Sequence, residues 1–117
     1  MKLAILITGR TDQSLIVARA WQKAGASGVT ILEGYGLRSL QDRLAIRDDV
    51  GLIPSLSKLL SQQEVSTVLL ISLVSDEMVV ALQHEATEIL GDLTLPNNGI
   101  LLTLAVDNAI GLVLRNP

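Results

Sequence analysis

Apolar residues in this chain come in short runs, and their spacing predicts the elements. Leu3 to Ile7 is continuously apolar and is closed by Thr8, Gly9 and Arg10, the pattern of a strand shielded on both faces. Thr11 or Asp12 can cap a following helix by accepting orphan backbone N–H bonds. Ile16, Val17, Ala20, Trp21 and Ala24 then fall on neighbouring turns of one face, and Gly25 stops the helix. Val29 to Glu33, set between Gly28 and the pair Gly34 and Gly36, reads as a second strand. Val65 to Val74 is the longest β-type run, and Ser75, Asp76 and Glu77 after it suit a helix N-terminus. Met78, Leu82, Ala86, Ile89 and Leu90 trace the apolar stripe of that second helix, with His84, Glu85 and Glu88 toward its polar side, as far as Gly91. Asp92 to Gly99 is a loop holding Pro96 and the turn signal Asn97-Asn98-Gly99, and Ile100 to Val106 is a fourth strand. Ile110 to Leu114 has the composition of a short edge strand.

Between the second and third strands the pattern breaks. From Gly34 to about Gln63 charges of both signs mix, with Arg38, Asp42, Arg43, Arg47, Asp48 and Asp49 ahead of Gly51 and Pro54. Pro54 sits where a first helical residue would, and Leu56, Leu59 and Leu60 recur at helical spacing, which predicts a short helix inside this long loop. A connection of this size is more often functional than decorative.

Strand, helix, strand, long loop, strand, helix, strand is the order of a ferredoxin-like βαββαβ α+β fold, an antiparallel four-stranded sheet with both helices on one face. The alternation then poses a difficulty. Val68, Leu70 and Val74 occupy one side of the third strand, but Leu69, Ile71 and Leu73 occupy the other; the fourth strand sets Ile100, Leu102, Leu104 and Val106 against Leu101, Thr103 and Ala105. Two helices cannot cover both faces. Several hundred Å² of contiguous apolar surface exceeds what soluble monomers usually expose, so a partner must cover it, and symmetric self-association is the commonest solution.

Composition narrows the chemistry. At 117 residues the chain suits one domain, residues 1–117, able to bury a core without metal or disulfide. No cysteine is present, which excludes disulfides, thiolate nucleophiles and zinc-thiolate sites. Twelve acidic against nine basic side chains give no general attraction for phosphodiester backbones, so nucleic acid is not an expected partner. No apolar run approaches the roughly 18 to 20 residues that span a bilayer. Met1 to Gly9 reads as a strand rather than a secretory signal, and a cytoplasmic location is expected. His84 is the only histidine; with acidic neighbours and no supporting dyad it reads as a surface residue, and neither a catalytic set nor a metal-ligand cluster is predicted. Trp21 reads as core packing.

Three segments resemble the PII nitrogen-regulatory superfamily. They are Ala24-Gly25-Ala26-Ser27-Gly28-Val29-Thr30-Ile31-Leu32-Glu33, then Val74-Ser75-Asp76-Glu77-Met78-Val79, and Gly99 with the apolar run Ile100 to Val106. The resemblance implies a homotrimer with its three sheets facing inward, which would also solve the uncovered face. It implies a non-catalytic signal-transduction protein in which the loop after strand two, residues 34–63, is the T-loop that touches a regulated protein, a membrane protein being one candidate target. The segment Gly91 to Gly99 would be the B-loop, and a small effector, an adenine nucleotide in the family, would lie in the clefts between subunits. By position, Gly34, Tyr35, Gly36, Arg38, Asn97, Asn98 and Gly99 are then the effector contacts, and Arg43, Arg47, Asp48, Asp49 and Leu56 the partner-binding loop. The sequence departs from the family in three ways: Gly91 to Gly99 contains no Lys or Arg to neutralise phosphate, none follows the fourth strand before Arg115, and the 34–63 loop has no Tyr beyond Tyr35 at its base, which does not support regulation by tyrosine modification at a loop tip.

The residues also admit other readings. Gly9-Arg10-Thr11-Asp12 could hold an anion or simply cap a helix. The Arg38, Arg43 and Arg47 cluster could bind carboxylate or phosphate, or form solvated ion pairs with its neighbouring aspartates. A small oligomeric enzyme acting on an apolar substrate, and a structural trimer without ligand, are the alternatives to a signalling protein.

Overall fold

A computed structural model describes residues 1–38, 41 and 65–112. Strand β1 (Lys2–Thr8) leads through a short 3-10 turn (Thr11–Gln13) into helix α1 (Ser14–Ala24), followed by β2 (Thr30–Gly34), β3 (Thr67–Val74), helix α2 (Met78–Leu90) and β4 (Ile100–Ala105). The strands form one sheet in the order β2-β3-β1-β4 with every neighbouring pair antiparallel, as the ferredoxin-like reading requires. The predicted helix after Pro54 and the candidates Arg43, Arg47, Asp48, Asp49 and Leu56 lie outside the described residues.

Antiparallel partners share a face, so the register sorts the side chains. Ala4, Leu6 and Thr8 of β1 lie beside Ser72, Leu70 and Val68 of β3, and all six are buried. Helix α1 lays Val17, Ala18 and Trp21 on this face and α2 lays Leu82, Ala86 and Leu90 on it. Trp21 is fully buried, and its Nε1–H donates to the Leu82 carbonyl at 3.0 Å, tying the helices together over the sheet. Ser72, a polar residue in this core, is satisfied by donating to the Gly28 carbonyl at 2.6 Å.

The opposite face carries Leu3, Ile5 and Ile7 of β1, Leu69, Ile71 and Leu73 of β3, Ile100, Leu102 and Leu104 of β4, and Leu32 of β2. Thr30, Gly34 and Thr67, toward the β2 edge, interrupt this run of Leu and Ile. No described element of the chain covers it. Its outer members are open to solvent: Leu32 is 47% exposed, Ile100 61% and Leu104 52%.

Four expectations are corrected. The buried stripe of α1 is Ser14, Val17, Ala18 and Trp21, while Ile16 is half exposed; the i, i+3, i+4, i+7 set centred on Val17 leaves Ile16 beside it. Thr11 and Asp12 do not cap α1, because the 3-10 turn occupies 11–13 and no side chain bonds the first turn. Ser75, Asp76 and Glu77 likewise give α2 no side-chain cap: the Ser75 backbone carbonyl accepts from Met78 N–H, and the Asp76 carboxylate instead takes the Met1 ammonium at 2.7 Å. Residues 110 and 111 bend and 112 belongs to no strand, with Gly111 at φ 93°, so no edge strand forms there; Val113 and Leu114 lie outside the described residues.

Candidate functional site

The register gathers the candidate loops at one end of the sheet. Ile7 pairs with Ile100, Thr8 with Val68 and Gly34 with Thr67, so the exits of β1 and β2 and the entries of β3 and β4 lie together. At the β4 corner, Ile7, Gly9, Arg10, Leu93, Thr94, Leu95, Pro96, Asn97, Gly99 and Ile100 line an open cleft of about 680 Å³.

The wall of this cleft is the 91–99 loop, held by side chains distant in sequence. Thr8, buried at the end of β1, donates its hydroxyl to the Asn98 carbonyl at 3.2 Å and accepts from the Arg10 N–H at 3.0 Å. Asn98 Nδ2 donates to the Asp92 carbonyl at 2.7 Å, which also accepts from Leu95 N–H at 3.1 Å. Asp92 Oδ1 accepts from both the Thr94 N–H at 2.9 Å and the Thr94 hydroxyl at 2.7 Å, and these bonds hold its carboxyl below the ordinary carboxylate range. Asn97 takes a left-handed conformation at φ 70°, one that Asn tolerates better than most residues. Gly99, at φ 142°, would carry a side chain only under strain: a Cβ would lie 3.1 Å from the Ile7 carbonyl oxygen.

Arg10 stands at the N-terminus of the 3-10 turn, where its carbonyl accepts from the Gln13 N–H at 3.0 Å, while its side chain reaches elsewhere. Its Nη1–H donates at 3.0 Å to the carbonyl of Leu90, the last residue of α2, where an orphan carbonyl and the negative end of the helix dipole favour a cation. It therefore joins the wall of the cleft to the end of α2. Nothing in the 8–12 pattern announced this; a lone arginine after a buried strand gives no hint of a partner 80 residues away.

At the other edge, the Gly36 N–H donates to the Ser66 hydroxyl at 2.7 Å, the Ser66 N–H donates to the Gly34 carbonyl at 3.1 Å, and the Thr67 hydroxyl donates to the Thr8 carbonyl at 3.2 Å. The start of the 34–63 segment is thus pinned to the start of β3. Tyr35 is half-buried there and Arg38 is exposed. Gly34, Tyr35 and Gly36 lie together, as do Asn97, Asn98 and Gly99, but the two groups stand on opposite edges of the sheet. Three strand spacings separate them, roughly 14 Å. One copy of the chain does not bring them into contact.

The remaining chemistry is sparse. His84 is 67% exposed on α2, with Glu88 at 3.8 Å as its acidic neighbour. No cluster among the described residues could hold a metal ion, and no described helix is long and apolar enough to cross a membrane.

No protein-family model matches the sequence, and no curated protein matches it. Solved structures do. A PII-like signalling protein, TTHA0516 from Thermus thermophilus, is 14% identical with a TM-score of 0.54, the match covering 88% of this chain and 82% of that one. GlnK of B. subtilis, solved in complex with ATP, is 17% identical with a TM-score of 0.54, covering 93% and 84%. CPII, a nitrogen regulatory PII-like protein from Thiomonas intermedia K12, solved with ADP and bicarbonate, is 16% identical with a TM-score of 0.52, covering 88% and 82%. The fold of this chain is the PII-like fold.

Proposed function

We propose that residues 1–117 form a non-catalytic PII-like signalling protein that assembles as a homotrimer in the cytoplasm. It binds a small effector between subunits and regulates a partner protein through residues 34–63. The observation that carries this reading is the sheet face of ten Leu and Ile side chains left uncovered on a PII-like fold. A face of this composition in water is unfavourable, at about 25 cal/mol per Å² of apolar surface, and other copies of the same face relieve it.

The split of the candidate contacts supports the same arrangement. Gly34, Tyr35, Gly36 and Arg38 at one edge and Asn97, Asn98 and Gly99 at the other are half-sites that a neighbouring copy completes when sheets pack face to face. An adenine nucleotide is the first effector to test, since the similar folds include complexes with ATP and with ADP and bicarbonate. The 91–99 loop offers backbone N–H groups and Thr94 but no Lys or Arg, so arginines of the 34–63 segment, Arg38, Arg43 and Arg47, are the phosphate contacts of this reading. Effector affinity that differs between two states of that segment supplies the switch.

Sedimentation at nanomolar dilution tests assembly, and titration with adenine nucleotides, bicarbonate and carboxylate metabolites tests the site. The expected result is a trimer whose saturable ligand binding alters hydrogen exchange across 34–63. A well-folded monomer at nanomolar dilution overturns the reading.

A further inference from the structure

The 91–99 loop needs both members of its Asn98–Gly99 pair. Gly99 avoids strain, because at φ 142° a Cβ there would meet the Ile7 carbonyl oxygen at 3.1 Å. Asn98 is required because its Nδ2 donates to the Asp92 carbonyl at 2.7 Å; that partner only accepts, which fixes the nitrogen as the facing atom. Thr8 meanwhile donates to the Asn98 carbonyl at 3.2 Å. The loop is therefore built on a thermolabile residue followed by the one residue whose backbone nitrogen has no neighbouring side chain to screen it.

We propose that Asn98 is a self-modification site whose deamidation locks the 91–99 loop open. The Gly99 nitrogen attacks Asn98 Cγ after losing its proton to solvent, the Cγ–Nδ2 bond breaks, and the nitrogen leaves as ammonia. The succinimide ring then takes up water and opens to aspartate or isoaspartate at 98, so water is the only co-reactant. The bond from Nδ2 to the Asp92 carbonyl holds Cγ in place while the loop is closed, so the reaction proceeds from open loops. The product cannot close again. A carboxylate has no hydrogen to donate to the Asp92 carbonyl, and isoaspartate adds a methylene to the main chain just before β4. The inference stands on this loop alone and does not require the proposed effector.

The full-length protein is incubated at mildly alkaline pH, in native buffer and in denaturing guanidinium, and the peptide containing 98–99 is followed by mass spectrometry and isoaspartate detection. Conversion at Asn98 is expected to outrun that at Asn108, and to be at least about tenfold slower in native buffer than in guanidinium, the factor that roughly one net hydrogen bond supplies. Asn98 that stays intact as long as Asn108 in guanidinium overturns the site, and equal rates in the two solvents overturn its gating. The Asn98→Asp variant reports the consequence: faster hydrogen exchange at the Leu95 N–H is expected, and unchanged exchange there overturns the lock.

Discussion

Ile5 lies directly between Ile71 of β3 and Leu102 of β4, three aliphatic side chains in a row across the sheet face opposite α1 and α2. The row runs through the centre of the proposed trimer interface. Ile5→Glu places a carboxylate there without touching the helix-covered core. The expected outcome is at least about a 100-fold rise in the dissociation constant of the assembly, since an unpaired buried charge carries a penalty of several kcal/mol. Sedimentation velocity across a dilution series checks it, with Arg19→Glu on the helix side expected to leave the mass unchanged.

Trp21 anchors the other face. Replacing it by Ala removes a fully buried ring and its bond to the Leu82 carbonyl, and a loss of about 3–5 kcal/mol is expected. Trp21→Phe keeps most of the volume and is expected to lose about 1–2 kcal/mol. Urea unfolding followed by circular dichroism distinguishes the two, since the chain has no other tryptophan to report by fluorescence.

Two glycines differ in what a methyl group costs. Gly99→Ala forces a Cβ toward the Ile7 carbonyl at a φ of 142° and is expected to destabilise the chain by about 1–3 kcal/mol. Gly28→Ala meets nothing within 4 Å and is expected to stay within about 0.5 kcal/mol of the parent. The difference in urea midpoint between these variants is the measurement.

The Asp92 carboxyl sets an acid limit on the cleft wall. Its two bonds from Thr94 lower its folded-state pKa below the ordinary 3.8. Stabilisation from this group is therefore fully present above that ordinary value and disappears as pH falls through the lowered one. Hydrogen exchange at the Thr94 N–H is expected to be slow at neutral pH, beyond the intrinsic pH dependence of exchange, and to lose that protection in strong acid. Asp92→Asn is expected to shrink this acid-dependent loss.

Most of the fold was legible because it rests on alternation and local stops. Leu3 to Ile7, Val65 to Val74 and Ile100 to Val106 give strands to within two residues, and Gly25 and Gly91 end the two helices where they were placed. The face left open by the described elements was legible too, since strict alternation set Leu69, Ile71 and Leu73 on the side away from the two predicted helices. The start of α2 after Glu77 was legible, but the caps were not: Thr11, Asp12 and Ser75 have the chemistry of side-chain caps, and a 3-10 turn and backbone bonds perform that task instead. The cleft wall was only half legible. Asn97-Asn98-Gly99 announced a turn, and Asp92 two residues before Thr94 has the spacing of a side-chain turn. Nothing local joined Thr8 to Asn98 or Arg10 to Leu90, because such bonds exist only once β1 is flanked by β3 and β4.

A patch made almost wholly of leucine and isoleucine is chemically monotonous. It can reward contact, but its polar markers among the described residues, Thr30 and Thr67, lie only toward the β2 edge. The choice of setting must then fall to the outline of the branched side chains and to the twist of the strands beneath them. A sister chain with the same outline could enter a mixed ring, so the rim loops, rather than the greasy centre, would have to keep such relatives apart.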